Sequence, residues 1–322
     1  MRCLRCISNL TAIVALFVVL ATDSSAQLVD SPVRMKIPTL NGHRFIPSET
    51  VPDPFVNTYM LSKLGVGVAT DLEFPLIEIG GDTLFLPRGD QLFVVLEYRY
   101  QQRIKKWLAV KVGFSTLARL GTDAGSLLLA GITASTDLRF EWLISVIQND
   151  RSTLSFDLGF RNAGTTVVDV FGFVEDVIDG VDSKLVDTIP STQAIAGVRY
   201  AHGFSSLVGV KLATTMFYGS KEQLRDPANE INFEFGVGVS LDPRKRFGIP
   251  VGVLASYAFR TLSLGREDSS SDAQEFELKF DYTKPNDFSF GPSITWQKLP
   301  NVFSGSGSVS SLNLALTSRY YF

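Results

Sequence analysis

The sequence of 322 residues predicts an all-β protein, an antiparallel transmembrane barrel of about twelve strands. The first observation is alternation: apolar residues recur at every second position over many segments, which places one row on each face of a strand. The clearest example runs through Ile231, Phe233, Phe235, Val237, Val239 and Leu241. The second is that 45% of the residues are hydrophobic, yet no run of about 18 apolar residues follows residue 26. Lipid contact is therefore predicted for alternate residues of strands.

The third observation is the order of the connections. The alternating segments predict strands at 57–71, 91–102, 107–118, 128–147, 153–163, 192–202, 206–218, 229–241, 248–262, 273–283, 287–298 and 308–322. Short connections near 103–106, 148–152, 203–205, 242–247 and 284–286 alternate with long ones near 72–90, 119–127, 164–191, 219–228, 263–272 and 299–307. Transmembrane barrels have an even strand number, short periplasmic turns and long external loops, whereas a soluble sandwich gives no reason for this order. A hairpin hidden in 119–136 would raise the strand number to fourteen.

The amino-terminal residues have the three-part layout of a secretory signal peptide. A basic start and an apolar run over 10–21 precede small residues ending at Ala26, which predicts a signal peptide over 1–26. Cys3 and Cys6 lie inside this segment, so the exported part would contain no disulfide and needs another source of stability. We assign 27–56 to a proline-containing leader and 57–322 to the barrel.

The last strand carries a resemblance to a known class. Its alternate residues are Leu312, Leu314, Leu316, Ser318, Tyr320 and Phe322. An apolar row that ends on a carboxy-terminal aromatic resembles the closing strand of Gram-negative outer-membrane β-barrels, although Ser318 departs from it. The resemblance implies location in the outer membrane, contact with its lipid, and recognition by the barrel assembly machinery, with Tyr320 and Phe322 as the assembly signal.

The opposite row of the strands contains the candidate site. An Arg or Lys facing lipid at mid-depth costs about 2–4 kcal/mol, so charged residues are expected to line the lumen. Nine basic and six acidic residues fall on this row: Glu97, Arg99, Lys111, Arg139, Glu141, Asp157, Arg161, Arg199, Lys211, Glu234, Arg260, Glu277, Lys279, Asp281 and Arg319. They form either a pore with a slight positive excess, suited to small polar or anionic solutes, or a structural network of paired charges.

Two segments are candidates for insertion into the lumen. The prolines of 27–56 exclude a regular helix, so this stretch is either a periplasmic tail or a plug; Phe45, Ile46 and Phe55 favour docking. Apolar residues in 164–191 follow helical spacing, which predicts a short amphipathic helix at the mouth. The alternative there is continuation of the preceding strand. Ten glycines on the inward row are consistent with an inserted segment, a solute, or curvature alone.

Enzymatic chemistry finds little support in the sequence. The two histidines, His43 and His202, lie in the leader and in a predicted turn, and neither belongs to a recognisable nucleophile–base arrangement. No zinc, calcium or phosphate-binding motif occurs, and 30 basic against 33 acidic residues give no general attraction to nucleic acid. We therefore predict no catalytic residue, metal or cofactor. The expected function is an outer-membrane channel or passive transporter for small solutes; a closed structural or surface-interaction barrel is the alternative, and an outer-membrane hydrolase ranks third.

Overall fold

The computed structural model describes residues 37–73, 77–79, 82–85, 88–121, 132–168, 186–220, 229–263, 270–300 and 308–322. Within these ranges it contains a short helix, α1 (Arg244–Phe247), and sixteen strands. The strands are β1 (Thr39–Leu40), β2 (His43–Arg44), β3 (Tyr59–Glu73), β4 (Ile77–Ile79), β5 (Asp82–Phe85), β6 (Arg88–Lys105), β7 (Leu108–Gly121), β8 (Ile132–Gln148), β9 (Ser152–Val168), β10 (Val186–Gly203), β11 (Val208–Ser220), β12 (Asn229–Leu241), β13 (Val251–Ser263), β14 (Ser270–Tyr282), β15 (Phe288–Pro300) and β16 (Ser308–Tyr321). None of the described helices is long and apolar enough to cross a membrane.

Twelve of the described strands, β3 and β6 to β16, form one closed antiparallel barrel. Each strand pairs with its neighbours in the sequence, and β16 closes the barrel against β3, with Leu314 opposite Val66. The predicted fold class and the count of twelve are therefore confirmed, and the alternative of fourteen is not. The hairpin of β4 and β5 lies in the connection from β3 to β6 and pairs only within itself among the described residues.

The observed strand bounds lie within a few residues of the predicted ones, with one larger difference. β10 begins at Val186, six residues before the predicted start, and pairs with β9 along 152–168. In the described part of the chain, β10 pairs with β11 from Gln193 onward, so Pro190, which has no N–H donor, precedes that pairing. The strand continuation is thus observed for 164–168, and the rest of the predicted helix lies outside the described residues.

The connections alternate between the two ends of the barrel. At one end, here called the short-turn end, they comprise 106–107, 149–151, 204–207, 242–250 and 283–287. At the other end, here called the outer end, they comprise 74–87, 122–131, 169–185, 221–228, 264–269 and 301–307. The connection 242–250 contains α1 and is longer than the outer-end connections 264–269 and 301–307. Connection length alone therefore does not show to which end of the barrel 242–250 belongs.

The two faces of the barrel differ in the way that the alternation predicts. Large apolar side chains on the outer face remain solvent-accessible, including Leu64 at 58%, Phe235 at 52% and Leu314 at 54%. Polar side chains on the inner face are buried, as for Asp157 and Lys211, which are both 0% exposed. An apolar exterior around a polar interior is the distribution of a barrel that has lipid as its outer solvent.

Candidate functional site

The described part of the leader, 37–56, contacts the inner face of the barrel. Its first element is a hairpin of β1 and β2 around Asn41 and Gly42, whose φ angles of 50° and 77° fit the Asn-Gly turn that such hairpins favour. The Asn41 side chain donates to the carbonyls of Gly203 and Phe204, 3.2 and 2.9 Å away. The hairpin is therefore attached to the β10–β11 turn at the short-turn end.

Arg44 attaches the hairpin to the far side of the same opening. Its guanidinium is buried and donates to the carbonyls of Thr283, Pro285 and Phe288 at 2.6, 2.5 and 3.0 Å. Thr283 and Pro285 belong to the β14–β15 connection, and Phe288 is the first residue of β15. The leader thus spans the opening between β10 and β15, two strands on opposite sides of the closed barrel.

The leader then rises to a bend near mid-depth. The Glu277 carboxylate, fully buried on β14, accepts from the Ser48 hydroxyl at 2.6 Å and from the Glu49 amide at 3.1 Å. The Ser48 hydroxyl also accepts from the Val51 amide at 2.9 Å, which closes the bend locally. One wall carboxylate therefore satisfies backbone donors of the leader that would otherwise be buried without partners.

Asp53 is an acidic anchor on the descending side of the bend. Its carboxylate accepts from Lys211 at 2.8 Å and from Arg319 at 2.5 Å. Lys211 also donates to the Ile46 carbonyl at 2.9 Å, so it holds both sides of the bend. Burial would raise the pKa of Asp53, but the Lys211 and Arg319 cations outweigh it and hold this pKa well below its usual range.

Glu49 is a second, looser acidic anchor at the top of the bend. Its Oε2 lies 3.4 Å from Arg99 and 3.9 Å from Lys63, and Arg99 also pairs with Glu97. Burial would raise the pKa of Glu49, but the Lys63 and Arg99 cations lower it to about 2. Glu49 is therefore ionised across the physiological range.

The remainder of the leader returns to the short-turn end along a different part of the wall. The Ser155 hydroxyl donates to the Pro54 carbonyl at 2.6 Å. Gln101 donates to the carbonyls of Phe55 and Asn57, both at 2.8 Å. The prolines that exclude helix thus leave backbone carbonyls free, and inward-facing side chains of β6 and β9 satisfy them.

Glycines on the inner face make room for the leader. A Cβ atom added to Gly209 would lie 2.3 Å from the His43 ring and 2.8 Å from the Phe45 ring. Both rings are buried and have little freedom to move. At Gly238 an added Cβ would meet Ser256 Cβ at 3.4 Å, an ordinary contact.

We expect Gly209→Ala to displace the leader and Gly238→Ala to leave it in place. Arg44 provides the readout, because trypsin can cleave after it only when the segment leaves its buried position. Cleavage at Arg44 should accelerate at least tenfold in Gly209→Ala and stay unchanged in the Gly238→Ala control. Equal cleavage rates in the two variants would contradict the close packing of His43 at Gly209.

His43 makes leader docking sensitive to pH. The ring is fully buried and its Nε2 lies 2.7 Å from the Ser240 hydroxyl. Burial lowers the pKa of His43 from 6.5 to about 4, although Asp242 opposes the shift. In the undocked leader, His43 is therefore protonated below about pH 6.5, whereas in the docked leader it is protonated only near pH 4.

Docking is consequently expected to be strongest above pH 6.5 and to weaken as pH falls from 6.5 to 4, by at most about 3 kcal/mol. Hydrogen exchange of the leader amides, corrected for the intrinsic pH dependence of exchange, measures this loss. His43→Gln, which does not titrate, should flatten the profile. An unchanged profile in that variant would assign the pH dependence to another group.

A cavity of about 460 Å³ lies between the bend and the outer end. Glu49, Thr50 and Pro52 of the leader form part of its lining, and we call it the chamber. Its wall contains a connected series of charges in which Glu141 binds Lys111 and Arg199, both at 2.7 Å. Arg199 in turn binds Asp157 at 2.8 Å. Each cation of this series is thus in contact with a carboxylate.

The structure places all fifteen predicted lumen residues on the inner row of their strands. Ten of them line the chamber: Glu97, Arg99, Lys111, Arg139, Glu141, Asp157, Arg161, Arg199, Glu234 and Arg260. The other five lie nearer the short-turn end: Lys211, Glu277, Lys279, Asp281 and Arg319. Of these, Lys211, Glu277 and Arg319 bind the leader.

Sequence reasoning overlooked five charged residues of the site. Lys63, Asp137 and Glu275 lie on the same inner rows, where the alternation could have identified them, and Glu49 and Asp53 come from the leader. Together with the predicted fifteen they make ten cations and ten anions. The slight positive excess of the predicted set is thus balanced by carboxylates that include two from the leader.

The outer part of the chamber has a mixed lining. Phe93, Val95, Leu117, Phe217 and Leu299 line it from inner-row positions near the outer ends of their strands. Arg260, Glu234 and Asp137 line it at a similar distance from the outer ends of their strands, so the wall here combines apolar and charged side chains.

Tyr320 and Phe322 lie on the outer face at the short-turn end, 48% and 47% exposed. Phe322 stacks on Tyr320 and on Tyr100, with ring centroids 5.8 and 6.1 Å apart. Among the residues described, no group of three or more His, Cys, Asp or Glu could hold a metal ion.

His202 forms a hydrogen bond with Ser152 at 2.7 Å and stacks on Tyr200, which makes an aromatic cluster on the outer face.

Solved structures with the same fold are outer-membrane proteins. An outer-membrane channel from Pseudomonas putida F1 is 10% identical, with a TM-score of 0.55, over 87% of this chain and 100% of that one. The translocator domain of the autotransporter NalP from Neisseria meningitidis is 11% identical, with a TM-score of 0.50, over 83% of this chain and 88% of that one. No protein-family profile and no curated protein sequence matches the chain. The likeness shows that the fold is that of outer-membrane β-barrels.

Proposed function

We propose that the protein is an outer-membrane channel for small solutes, in which the leader closes the lumen at the short-turn end. The observation that supports this most is the chamber, a cavity of about 460 Å³ inside a closed barrel with leader residues in its lining. A barrel that served only as a scaffold would have no need for such a space. The apolar outer surface is consistent with insertion in the outer membrane.

The leader would act as a plug in this account. Its contacts reach β6, β9, β11, β14 and β16, so its docked position blocks the axis of the barrel. Passage to the short-turn end then requires the leader to shift. The contacts that hold the leader against the wall are mostly hydrogen bonds and ion pairs. Such contacts can be replaced by water more readily than a packed apolar core can.

Solute flux in proteoliposomes tests the proposal. Vesicles containing the full chain should swell in isotonic arabinose faster than protein-free vesicles, and should not swell in the larger sugar stachyose. Fractionation of cells should recover the chain with the outer membrane. Flux no greater than in protein-free vesicles, for the native chain and also for a variant with a displaced leader, would contradict a channel.

A closed structural barrel is the second candidate, because the ion pairs of the lumen support it. Arg199 is 3% exposed and is held by both Glu141 and Asp157, an arrangement that fills space without offering a route. Folding with no flux in any leader variant would favour this second function.

A further inference from the structure

The charges of the chamber are balanced in number but not in exposure. Among its ion-paired side chains the most accessible are all arginines: Arg139 at 39%, Arg260 at 36%, Arg99 at 24% and Arg161 at 20%. The paired carboxylates are less exposed, with Glu234 highest at 16%. Asp137 is shared by Arg139 and Arg161, at 3.0 and 2.6 Å. A solute in the chamber therefore meets guanidinium donors first, with the carboxylates behind them.

Glu49 is the carboxylate that the leader itself supplies as a partner for the chamber cations. Its contacts with Arg99 and Lys63, at 3.4 and 3.9 Å, are longer than both contacts of Asp53, at 2.8 and 2.5 Å. Within the described part of the chain, Oε1 of Glu49 is buried and has no hydrogen-bond partner. The leader thus supplies a carboxylate that is ionised yet only loosely bound.

We propose that Glu49 occupies a binding site for small carboxylates, and that a solute carboxylate replaces it on Arg99 and Lys63. This inference rests on the channel function proposed above and names the solute class. Guanidinium and carboxylate groups match in shape and charge, which makes Arg99 a suitable recognition group.

The neighbouring wall indicates the rest of the solute. Along β6, Phe93 and Val95 precede Glu97 and Arg99 on the same inner row and lie nearer the outer end. The apolar side chains of this strand therefore begin about 13 Å from the Arg99 position. A cavity of this size takes a small molecule. The solute is therefore a small monocarboxylate with an apolar body, for which benzoate is a suitable probe.

Replacement of Glu49 would also loosen the leader. Glu49 is one of its two acidic anchors, so a ligand that takes its place removes part of the docking free energy. Binding equilibria that share a partner are reciprocally linked, so leader docking must weaken the apparent affinity for the carboxylate. The solute would in this way favour opening of its own route.

Calorimetric titration of the full chain in detergent tests the proposal, with benzoate and its neutral analogue benzamide at constant ionic strength. Glu49→Gln removes the competing charge and is expected to tighten benzoate binding about tenfold, while benzamide binds neither protein. In the native protein, benzoate but not benzamide should speed hydrogen exchange of the amides at 48–51. Circular dichroism confirms that the variant is folded.

Three outcomes would overturn the proposal: unchanged or weaker benzoate binding in Glu49→Gln, equal binding of benzamide, or no benzoate binding in either protein. Arabinose flux distinguishes this failure from failure of the channel function. Flux without carboxylate binding would leave the channel in place and remove Glu49 as the occupant of an anion site.

Discussion

Asp53→Ala is expected to destabilise the docked leader by about 3–5 kcal/mol, because it leaves two buried cations without their carboxylate. Lys211 is 0% exposed and Arg319 3% exposed, so water cannot readily replace the lost partner. The barrel itself should remain folded, since its strands do not depend on the leader for their hydrogen bonds. Hydrogen exchange of the amides at 46–54 measures the change.

Asp53→Asn is the matched control. It keeps the size and one acceptor oxygen but removes the charge, so it should release the leader less than Asp53→Ala. Exchange at 46–54 that stays at the native rate in both variants would show that Lys211 and Arg319 do not hold the leader.

Phe235→Arg is expected to lower barrel stability in lipid by about 2–4 kcal/mol, because it places a charge on the lipid face near mid-depth. Phe235 is the central residue of β12 and is 52% exposed. Phe235→Leu keeps the site apolar and should cost little. Glu234→Gln changes the neighbouring inner position, where Arg260 is the partner, and should also assemble. The folded fraction in lipid vesicles as a function of urea compares the three variants.

A one-residue change in register exchanges the two faces of a strand, so this series also tests the strand pairing. Phe235 lies opposite Thr214 of β11 and Phe259 of β13. Equal stability of Phe235→Arg and Phe235→Leu in lipid would contradict the assignment of Phe235 to the lipid face of β12.

The barrel could be predicted from the sequence because the alternation that identifies each strand lies within that strand. In β12, alternation alone separates Phe233 and Phe235 from Glu234 and Gly236, and the same signal recurs in each strand. β10 was predicted too short because its first residues, 186–191, were assigned to the long connection 164–191, whereas they pair with β9.

The leader's contacts could not be predicted in this way. Asp53 and Arg319 are 266 residues apart in the chain, and nothing near either residue specifies the other. Phe45, Ile46 and Phe55 suggested docking, but the groups that hold the leader are mostly polar and belong to the wall. Gly209 marks a close approach whose partner, His43, becomes apparent only in the folded barrel.

Planar-bilayer recording of the full chain, native and Asp53→Ala, tests the central claim that the leader closes a pore. We expect low or intermittent single-channel conductance for the native protein and a severalfold higher, sustained conductance for Asp53→Ala, with Asp53→Asn between them. Identical conductance of the native and Asp53→Ala proteins, with hydrogen exchange showing the leader released, would contradict it.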